Sequence, residues 1–431
     1  MKTNILKLAK NIHFIGIGGI GISAIARMFI LEGKNVSGSD TSETKAVDEL
    51  KKLGAKIIIG HSASNIPKNA DLVIYTIAIN KENPEYKEAV KRNIKIITYP
   101  ESLKEVSKDK FTIAVSGTHG KTTTTAMIAK IMVEAGLDPT VIVGSFLKDQ
   151  KSNFIVGKSK YLVVEACEFR KSFLNIEPSI AVVTNIDNDH LDFYKDIADI
   201  QKAFGEFLEK IPKNGYVVCN PEDKTVCPVL KKSKGKIVDS KEFFDNKLVL
   251  KVPGDHNKTN AFMALAVSHL VGIDKKKAKK SLEDFSGTWR RFEYKGETKN
   301  GAIVYDDYGH HPTEIKATLK GAREMFPEQK IMVVFQPHLY SRTKILLNDF
   351  AKAFKDANSV LLAPIYAGRE SYDKSISSEI LAGKIEGGKA QTFKNFELIE
   401  KYLKENLRKG EILILLGAGD IYTIGDELVN Y

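Results

Sequence analysis

The sequence predicts an α/β protein made of three domains in succession. Three observations carry this. Residues 12–21 and 111–121 are each a short apolar run that enters a glycine turn and leaves it in a helical pattern. Between residues 302 and 416, four more apolar runs of strand length are separated by helix-length segments. At 431 residues the chain is longer than one hydrophobic core needs, and a length prior gives about three domains.

Composition narrows the class. Hydrophobic content of 43% and charged content of 28% are those of a globular protein. The net charge is +11, from 65 basic and 54 acidic residues. The lysines are dispersed, apart from a short clump at Lys275–Lys277, Lys279 and Lys280. That pattern favours small polyanionic substrates over nucleic acid. Cys167, Cys219 and Cys227 lack metal-ligand spacing, as expected of a reducing compartment. Lys2, Lys7 and Lys10 before an apolar run give the start the layout of a secretory signal. That run holds four glycines in turn spacing and passes into Arg27, which argues against a signal. No apolar run reaches the ~18 residues of a membrane span. The expectation is a cytoplasmic protein that acts without a membrane or nucleic acid.

The first domain is expected over residues 1–109. Ile12-His-Phe-Ile-Gly-Ile-Gly-Gly-Ile-Gly21 sets Gly16, Gly18 and Gly21 in G-x-G-x-x-G, and Asp40 follows 19 residues after Gly21. Small residues let the backbone approach a pyrophosphate at a helix start, and an acid at that distance suits a ribose hydroxyl. The motif specifies a pyrophosphate, not a nicotinamide. A tight turn without a ligand is the bland alternative. Further strands at 56–59, 72–76 and 95–98 complete a parallel, Rossmann-like domain.

The second domain, 110–291, opens on Phe111-Thr-Ile-Ala-Val-Ser-Gly-Thr-His-Gly-Lys-Thr-Thr123. The strand 113–115 meets a glycine turn and then a helix that Gly136 stops. Backbone N–H groups of such a turn cradle phosphates, Lys121 adds a point charge, and the Thr122 hydroxyl suits Mg²⁺. The usual P-loop pattern has a glycine where Val115 stands. Gly117, Thr118, His119, Gly120, Lys121, Thr122 and Thr123 are therefore candidate ATP contacts in a central domain of P-loop type. The run 161–165 ends in Glu165, a carboxylate at a strand's C-terminal end, where Mg²⁺ is commonly held. After the strand 179–185 come Asp187, Asp189, His190 and Asp192, either a metal or phosphate shell or ordinary caps and turns. Asn257 and Asn260 open a helix and are candidates for the nucleotide. Arg291, in Trp-Arg-Arg-Phe, is either a charge partner for a transferring phosphoryl group or part of a hinge.

The third domain, 292–431, is again Rossmann-like, with strands expected at 302–305, 330–335, 359–362 and 411–416. Two polar turns follow its strands, Asp306-Asp-Tyr-Gly-His-His-Pro-Thr-Glu314 and Gln336-Pro-His-Leu-Tyr-Ser-Arg342. Open α/β sheets bind ligands at such ends. His119, His190, His310, His311 and His338 lie in these turns or the earlier ones, as catalytic bases or as solvated loop residues.

Seven motifs together resemble the Mur ligase family of the peptidoglycan pathway, end to end. They are Gly-Ile-Gly-Gly-Ile-Gly (16–21), Gly-Thr-His-Gly-Lys-Thr (117–122), Glu-Ala-Cys-Glu-Phe-Arg (165–170), Thr-Asn-Ile-Asp-Asn-Asp-His (184–190), His-Asn-Lys-Thr-Asn-Ala (256–261), Trp-Arg-Arg-Phe (289–292) and Asp-Tyr-Gly-His-His-Pro-Thr-Glu (307–314). Tyr-Gly-His-His-Pro with Phe-Gln-Pro-His points to the alanine-adding branch. The resemblance implies a ligase with ATP and Mg²⁺ as cofactors. Its small-molecule substrates would be UDP-N-acetylmuramate and L-alanine, joined through an acyl phosphate. It implies Lys121, Glu165, His190, Arg291, Tyr308, His310 and Arg342 as catalytic residues. Thr122, Glu165 and His190 would hold metal. Gly18, Gly19, Ile20, Gly21, Asp40 and His61 would take the UDP-sugar. Sister ligases bridge metals with a carbamylated lysine; here Phe204 falls at that position. Some relatives carry arginine where Leu339 stands, which leaves Arg342 as the carboxylate clamp.

Two other readings share these features. A ligase that recycles a preformed tripeptide would use the same motifs, although the short third domain leans against it. A nicotinamide oxidoreductase would explain the first turn but leave Lys121 and Glu165 without a role. The expected state is a monomer or weak homodimer.

Overall fold

A computed structural model describes residues 5–148, 152–191, 193–368 and 370–429. Three sheets follow one another along the chain. The first contains β1 (Asn11–Ile15), β2 (Asn35–Asp40), β3 (Lys56–Ile59), β4 (Leu72–Tyr75) and β5 (Lys95–Thr98), in the order β3-β2-β1-β4-β5. All its pairs are parallel, as expected where helices cover both faces. The strand order reverses beside β1, and the first glycine turn leaves from the end of β1.

The second sheet has β6 (Phe111–Ser116), β7 (Thr140–Leu147), β8 (Ser152–Ile155), β9 (Tyr161–Glu165), β10 (Ile180–Val183), β11 (Tyr216–Cys219) and β12 (Lys236–Asp239). Its order is β12-β11-β10-β6-β9-β7-β8, with β7 and β8 antiparallel and the other pairs parallel. The central strand β6 is wholly buried from Ile113 to Val115, because helices cover both of its faces.

The third sheet consists of β13 (Glu293–Glu297), β14 (Ile303–Asp307), β15 (Ile331–Phe335), β16 (Ser359–Leu362), β17 (Ala390–Thr392) and β18 (Ile412–Leu416). Its order is β13-β14-β18-β15-β16-β17, parallel except for the edge strand β13. Ile412–Leu416 is fully buried, and apolar clusters pack on each face of this sheet.

The chain divides into two compact units. One holds Met1–Ile186, Gln201–Phe244 and Met263–Ser281, with the first two sheets. The other holds Asp187–Ile200, Asp245–Phe262 and Leu282–Tyr431, with the third. Among the described residues, no helix is long and apolar enough to cross a membrane.

Most expected strands are present within a residue or two. The helix after the second glycine turn starts earlier than its apolar pattern, at Lys121, and ends at Glu134 before Gly136. Strands β2, β7, β8, β11, β12, β13 and β17 were not among the expected ones. In β7 the run is broken by Gly144, and β13, Glu-Tyr-Lys-Gly-Glu, is a polar edge. At β17 only three half-exposed residues pair.

Candidate active site

Both glycine turns lead into helices that begin without a side-chain cap. Helix Ile20–Leu31 starts on Gly19, and helix Lys121–Glu134 starts on Gly120, which adopts φ +81°. Elsewhere Thr44, Asn83 and Thr98 cap the helices Lys45–Lys52, Pro84–Lys91 and Tyr99–Ser107. The first N–H groups of a helix have no intrahelical partner, so an uncapped start is a natural anion site.

In the second turn, the Lys121 ammonium folds over its own loop. It donates to the carbonyl oxygens of Gly117 and Thr118 (2.9 Å) and lies 3.0 Å from the Glu168 carboxylate. Burial works against the ammonium, but Glu168, Cys167 and Glu165 outweigh it and raise the Lys121 pKa, so the group stays charged. Asn185 braces the loop from the end of β10. Its Oδ1 accepts the His119 N–H at 2.9 Å, and its Nδ2 donates to the His119 carbonyl at 3.0 Å. Gly117 has φ +132°, and a Cβ there would lie 1.9 Å from Thr184 Oγ1.

Thr122 and Glu165 come together as expected. The Thr122 hydroxyl donates to Glu165 Oε2 at 2.9 Å, and the Gly144 N–H donates to the same oxygen at 2.8 Å. Pairing of Val115 with Glu165 across β6 and β9 sets the carboxylate beside the loop. A Cβ on Gly144 would fall 2.7 Å from that oxygen, so the glycine leaves space for it. Neither Glu168 nor Gly144 was among the candidates. Glu168 stood in the Glu-Ala-Cys-Glu motif and was legible there; Gly144 gave no signal.

In the first turn Gly18 donates to Asp40 Oδ2 at 2.7 Å, and Asp40 Oδ1 accepts the Thr41 N–H at 2.7 Å. Asp40 was expected at a ribose hydroxyl; in this structure it clasps the turn. A Cβ on Gly21 would meet the Tyr99 ring at 2.6–2.9 Å, so this glycine permits the aromatic ring to close on the helix. His61 follows β3, with Nδ1 3.0 Å from Ser39 Oγ and 3.1 Å from Glu85 Oε1.

The remaining candidates belong to the second unit. His190 has φ +54° and lies 3.9 Å from the Asp189 carboxylate. Asp192 lies outside the described residues. Arg342, expected as a carboxylate clamp, bonds Asp189, with Nη2 2.8 Å and Nε 3.2 Å from Oδ1. Burial raises the Asp189 carboxyl, yet His190, Arg342 and His310 overcome it and keep the group far below the ordinary carboxylate range. Arg342 also approaches His338 Nδ1 at 3.0 Å. Leu339, just before, is buried at φ +73°, a conformation that costs a non-glycine residue about 1–3 kcal/mol.

Tyr308, His310 and His338 form an edge-to-face series, with centroid spacings of 5.5 and 5.6 Å. Burial pushes His310 down to about 3 despite Glu314, so the ring is neutral near pH 7. Arg291 lies over the Tyr308 ring at 5.1 Å and 3.8 Å from Glu314. Its neighbour Arg290 is buried and bonds Asp306 at 2.9 Å, which makes one of the two arginines structural. Asn257 donates to the Pro253 carbonyl at 2.7 Å and accepts from Asn260 at 3.4 Å, so both amides help shape this helix start. Phe204 is buried against Phe173, with ring centroids 5.2 Å apart.

A lysine-bearing phosphate loop beside a Thr–Glu oxygen pair, on a chain with a second uncapped glycine turn, defines a nucleotide-dependent enzyme of the three-sheet α/β type. Comparison with known proteins agrees. Models for the "Mur ligase family, catalytic domain", the "Mur ligase middle domain" and the "Mur ligase, glutamate ligase domain" match residues 11–111, 115–268 and 290–419. UDP-N-acetylmuramate--L-alanine ligase of Clostridium tetani is 43% identical over 455 aligned positions, covering 99% of each chain. The solved UDP-N-acetylmuramate-alanine ligase of Thermotoga maritima superposes with a TM-score of 0.82 at 30% identity, over 97% of this chain and 98% of that one. A murein peptide ligase from Psychrobacter arcticus shares the fold at 23% identity and a TM-score of 0.73, over 98% of both chains. The chain belongs to the Mur ligase family.

Proposed function

We propose that this chain is an ATP-dependent ligase that joins L-alanine to the lactyl carboxylate of UDP-N-acetylmuramate, in peptidoglycan synthesis. The observation that carries the reading is the Lys121 loop beside the Thr122–Glu165 pair, on a chain 43% identical from end to end to a ligase of that activity. A free carboxylate is a poor acyl donor. In the proposed reaction it attacks the γ-phosphorus of ATP, ADP departs, and an acyl phosphate forms. The neutral amine of L-alanine then attacks the acyl carbon, phosphate leaves with the bonding electrons, and the nitrogen loses a proton.

The labour is divided along the chain. Residues 1–109 would hold the UDP-sugar, with its diphosphate on the uncapped turn Gly18–Gly21. Residues 110–291 would hold ATP, where the Gly117–Thr123 backbone cradles phosphates and Lys121 turns from its own carbonyls to the transferring group. Residues 292–431 would supply Tyr308, His310 and Arg342 to the amino acid and sugar carboxylate. Asn257 and Asn260 would border the nucleotide, and Arg291 would add charge near the phosphoryl group.

The Thr122 hydroxyl and the Glu165 carboxylate are hard oxygen donors in contact, a set that suits Mg²⁺. Those two residues, with His190 added by the family resemblance, would hold the ion, which when bound offsets negative charge on the phosphates. The reading places the enzyme in the cytoplasm, as a monomer or weak homodimer.

The test is phosphate release from ATP with purified protein, Mg²⁺ and UDP-N-acetylmuramate, each amino acid being added in turn. L-alanine should support turnover. Turnover with the tripeptide L-alanyl-γ-D-glutamyl-diaminopimelate but not with L-alanine would replace this reading with the recycling one.

A further inference from the structure

Helix Tyr99–Ser107 follows β5, and its start is firmly held. The Thr98 hydroxyl accepts the Glu101 N–H at 3.2 Å, and the Glu101 carboxylate accepts the Thr98 N–H at 2.7 Å, a reciprocal cap. Pro100 fixes the backbone in the first turn, and the Tyr99 carbonyl accepts from Ser102 Oγ at 2.6 Å. Tyr99, the first helical residue, therefore projects its side chain from a rigid base.

That side chain crosses the first glycine turn. A Cβ on Gly21 would lie 2.6 Å from the Tyr99 hydroxyl oxygen, 2.7 Å from Cζ and 2.9 Å from Cε1. Gly21 thus makes room for the polar tip of the ring. The hydroxyl has no hydrogen-bond partner among the described residues. A buried phenol normally finds one. Burial raises the Tyr99 pKa, and the nearby Glu165 and Cys167 raise it further, so the group keeps its proton. Helix Tyr99–Ser107 also packs against Phe169–Asn175, just past those two residues. The hydroxyl stands on the side of the turn toward the second cradle, within the unit that holds both.

The first turn is short of donors. Its Gly18 N–H is taken by Asp40 at 2.7 Å, and its Gly19 N–H turns back to the Gly16 carbonyl at 3.4 Å. The N–H groups of Ile20 and Gly21 remain without a partner among the described residues. No lysine or arginine stands between Gly16 and Gly21. A diphosphate brings charged oxygens, and hydrogen bonds to such oxygens are about twice as strong as neutral ones. In the UDP-sugar reading the sugar must run from this turn toward the second cradle, where its carboxylate meets ATP. The phosphate nearer the sugar then falls on the side of the Tyr99 hydroxyl.

We infer that the Tyr99 hydroxyl donates a hydrogen bond to the sugar-side phosphate of the bound diphosphate, as the side-chain donor of the first cradle. Tyr99 becomes a substrate-binding residue, and Gly21 is the opening through which it reaches the ligand. The inference rests on the UDP-sugar reading above.

Tyr99→Phe removes the oxygen and keeps the ring over Gly21. Titration calorimetry of the full chain with UMP, UDP and UDP-N-acetylmuramate reads the contact, since UMP lacks the sugar-side phosphate. In Tyr99→Phe, UDP and UDP-N-acetylmuramate should each bind about tenfold more weakly, while UMP changes by less than about threefold. Phosphorus-31 NMR of bound UDP gives a readout that a merely packing role would not move. The β-phosphorus signal should differ between the unaltered protein and Tyr99→Phe, with the α signal nearly unmoved. An equal loss for all three ligands, a loss confined to UDP-N-acetylmuramate, no loss, or an unmoved β signal would each overturn the inference and leave the UDP-sugar reading in place. Failure of the unaltered protein to bind UDP would sink that reading and the inference with it.

Discussion

The two glycine turns start from the same local plan and are finished differently. Both follow a parallel strand and begin an uncapped helix. The first is crossed by an acid, since Asp40 accepts the Gly18 N–H, and Gly16 and Ile17 donate to the Ser39 carbonyl at 2.9 and 3.0 Å. The second is crossed by a base, Lys121, itself held by Glu168. A cradle that only binds a diphosphate needs no mobile cation. One that must steady a phosphoryl group in transfer needs a charge that follows it. On the proposed function, binding falls to the first turn and chemistry to the second, and that division can be broken by substitution in each.

Lys121→Ala should have the largest effect, a fall in kcat of about 10³-fold or more. UDP binding should be nearly unchanged, because the first cradle is separate from the lysine. Single-turnover phosphate release beside UDP calorimetry measures both. A variant that keeps a near-normal rate would remove the second turn from the chemistry.

Gly117→Ala comes next. A Cβ there would lie 1.9 Å from Thr184 Oγ1 and 3.0 Å from backbone atoms of Thr184 and Asn185, at φ +132°. The strand end cannot yield easily, so the loop must shift. Misplacement of reacting groups by about 1 Å costs on the order of 10²-fold, which sets the expected loss in kcat/KM for ATP. Gly18→Ala should cost less. Its Cβ would meet Val47 Cγ2, Thr44 Oγ1 and Asp40 Oδ2 at 2.8–3.0 Å, all side-chain atoms able to turn aside. The expected change is a rise of about tenfold in KM for the UDP-sugar, with kcat retained. If Gly18→Ala lowered kcat and left KM alone, the first turn would be more than a binding site.

These comparisons also show what was legible in the sequence. Glycine turns between an apolar run and a helix are local events, so residues 16–21 and 117–122 could be placed from a dozen neighbouring residues. Glu165 was legible for the same reason, at the end of an apolar strand. The partners that complete each cradle come from far along the chain. Asn185 reaches His119 from the end of β10, and Glu85 reaches His61 and His13 from a helix whose own sequence, Pro-Glu-Tyr-Lys, reads as a solvated start. A buried glutamate looks like a surface one until the packing is known. The same limit hid β13 and β17, polar edge segments that become strands because a neighbour is there to pair with them. Arg342 shows the converse. Its place in a polar turn was legible, but its engagement by Asp189, 153 residues earlier, was not.

Asp40→Ala should have the smallest effect and sharpens the comparison most. The carboxylate accepts the Gly18 and Thr41 N–H groups, and its loss leaves both without that acceptor in the free protein. Urea unfolding should show a loss of about 1 kcal/mol, the ordinary contribution of such bonds. The effect on ligand is a balance. An incoming diphosphate no longer competes with a fixed negative charge for the Gly18 N–H, but the turn is less firmly preformed. The two terms oppose each other, so the UDP dissociation constant should move by no more than about threefold. If Asp40 is instead the ribose partner that G-x-G-x-x-G spacing suggests, UDP will weaken by about tenfold or more while 2′-deoxy-UDP will be indifferent to the substitution. Calorimetry with both nucleotides on both proteins therefore decides whether this acid shapes the cradle or reads its ligand.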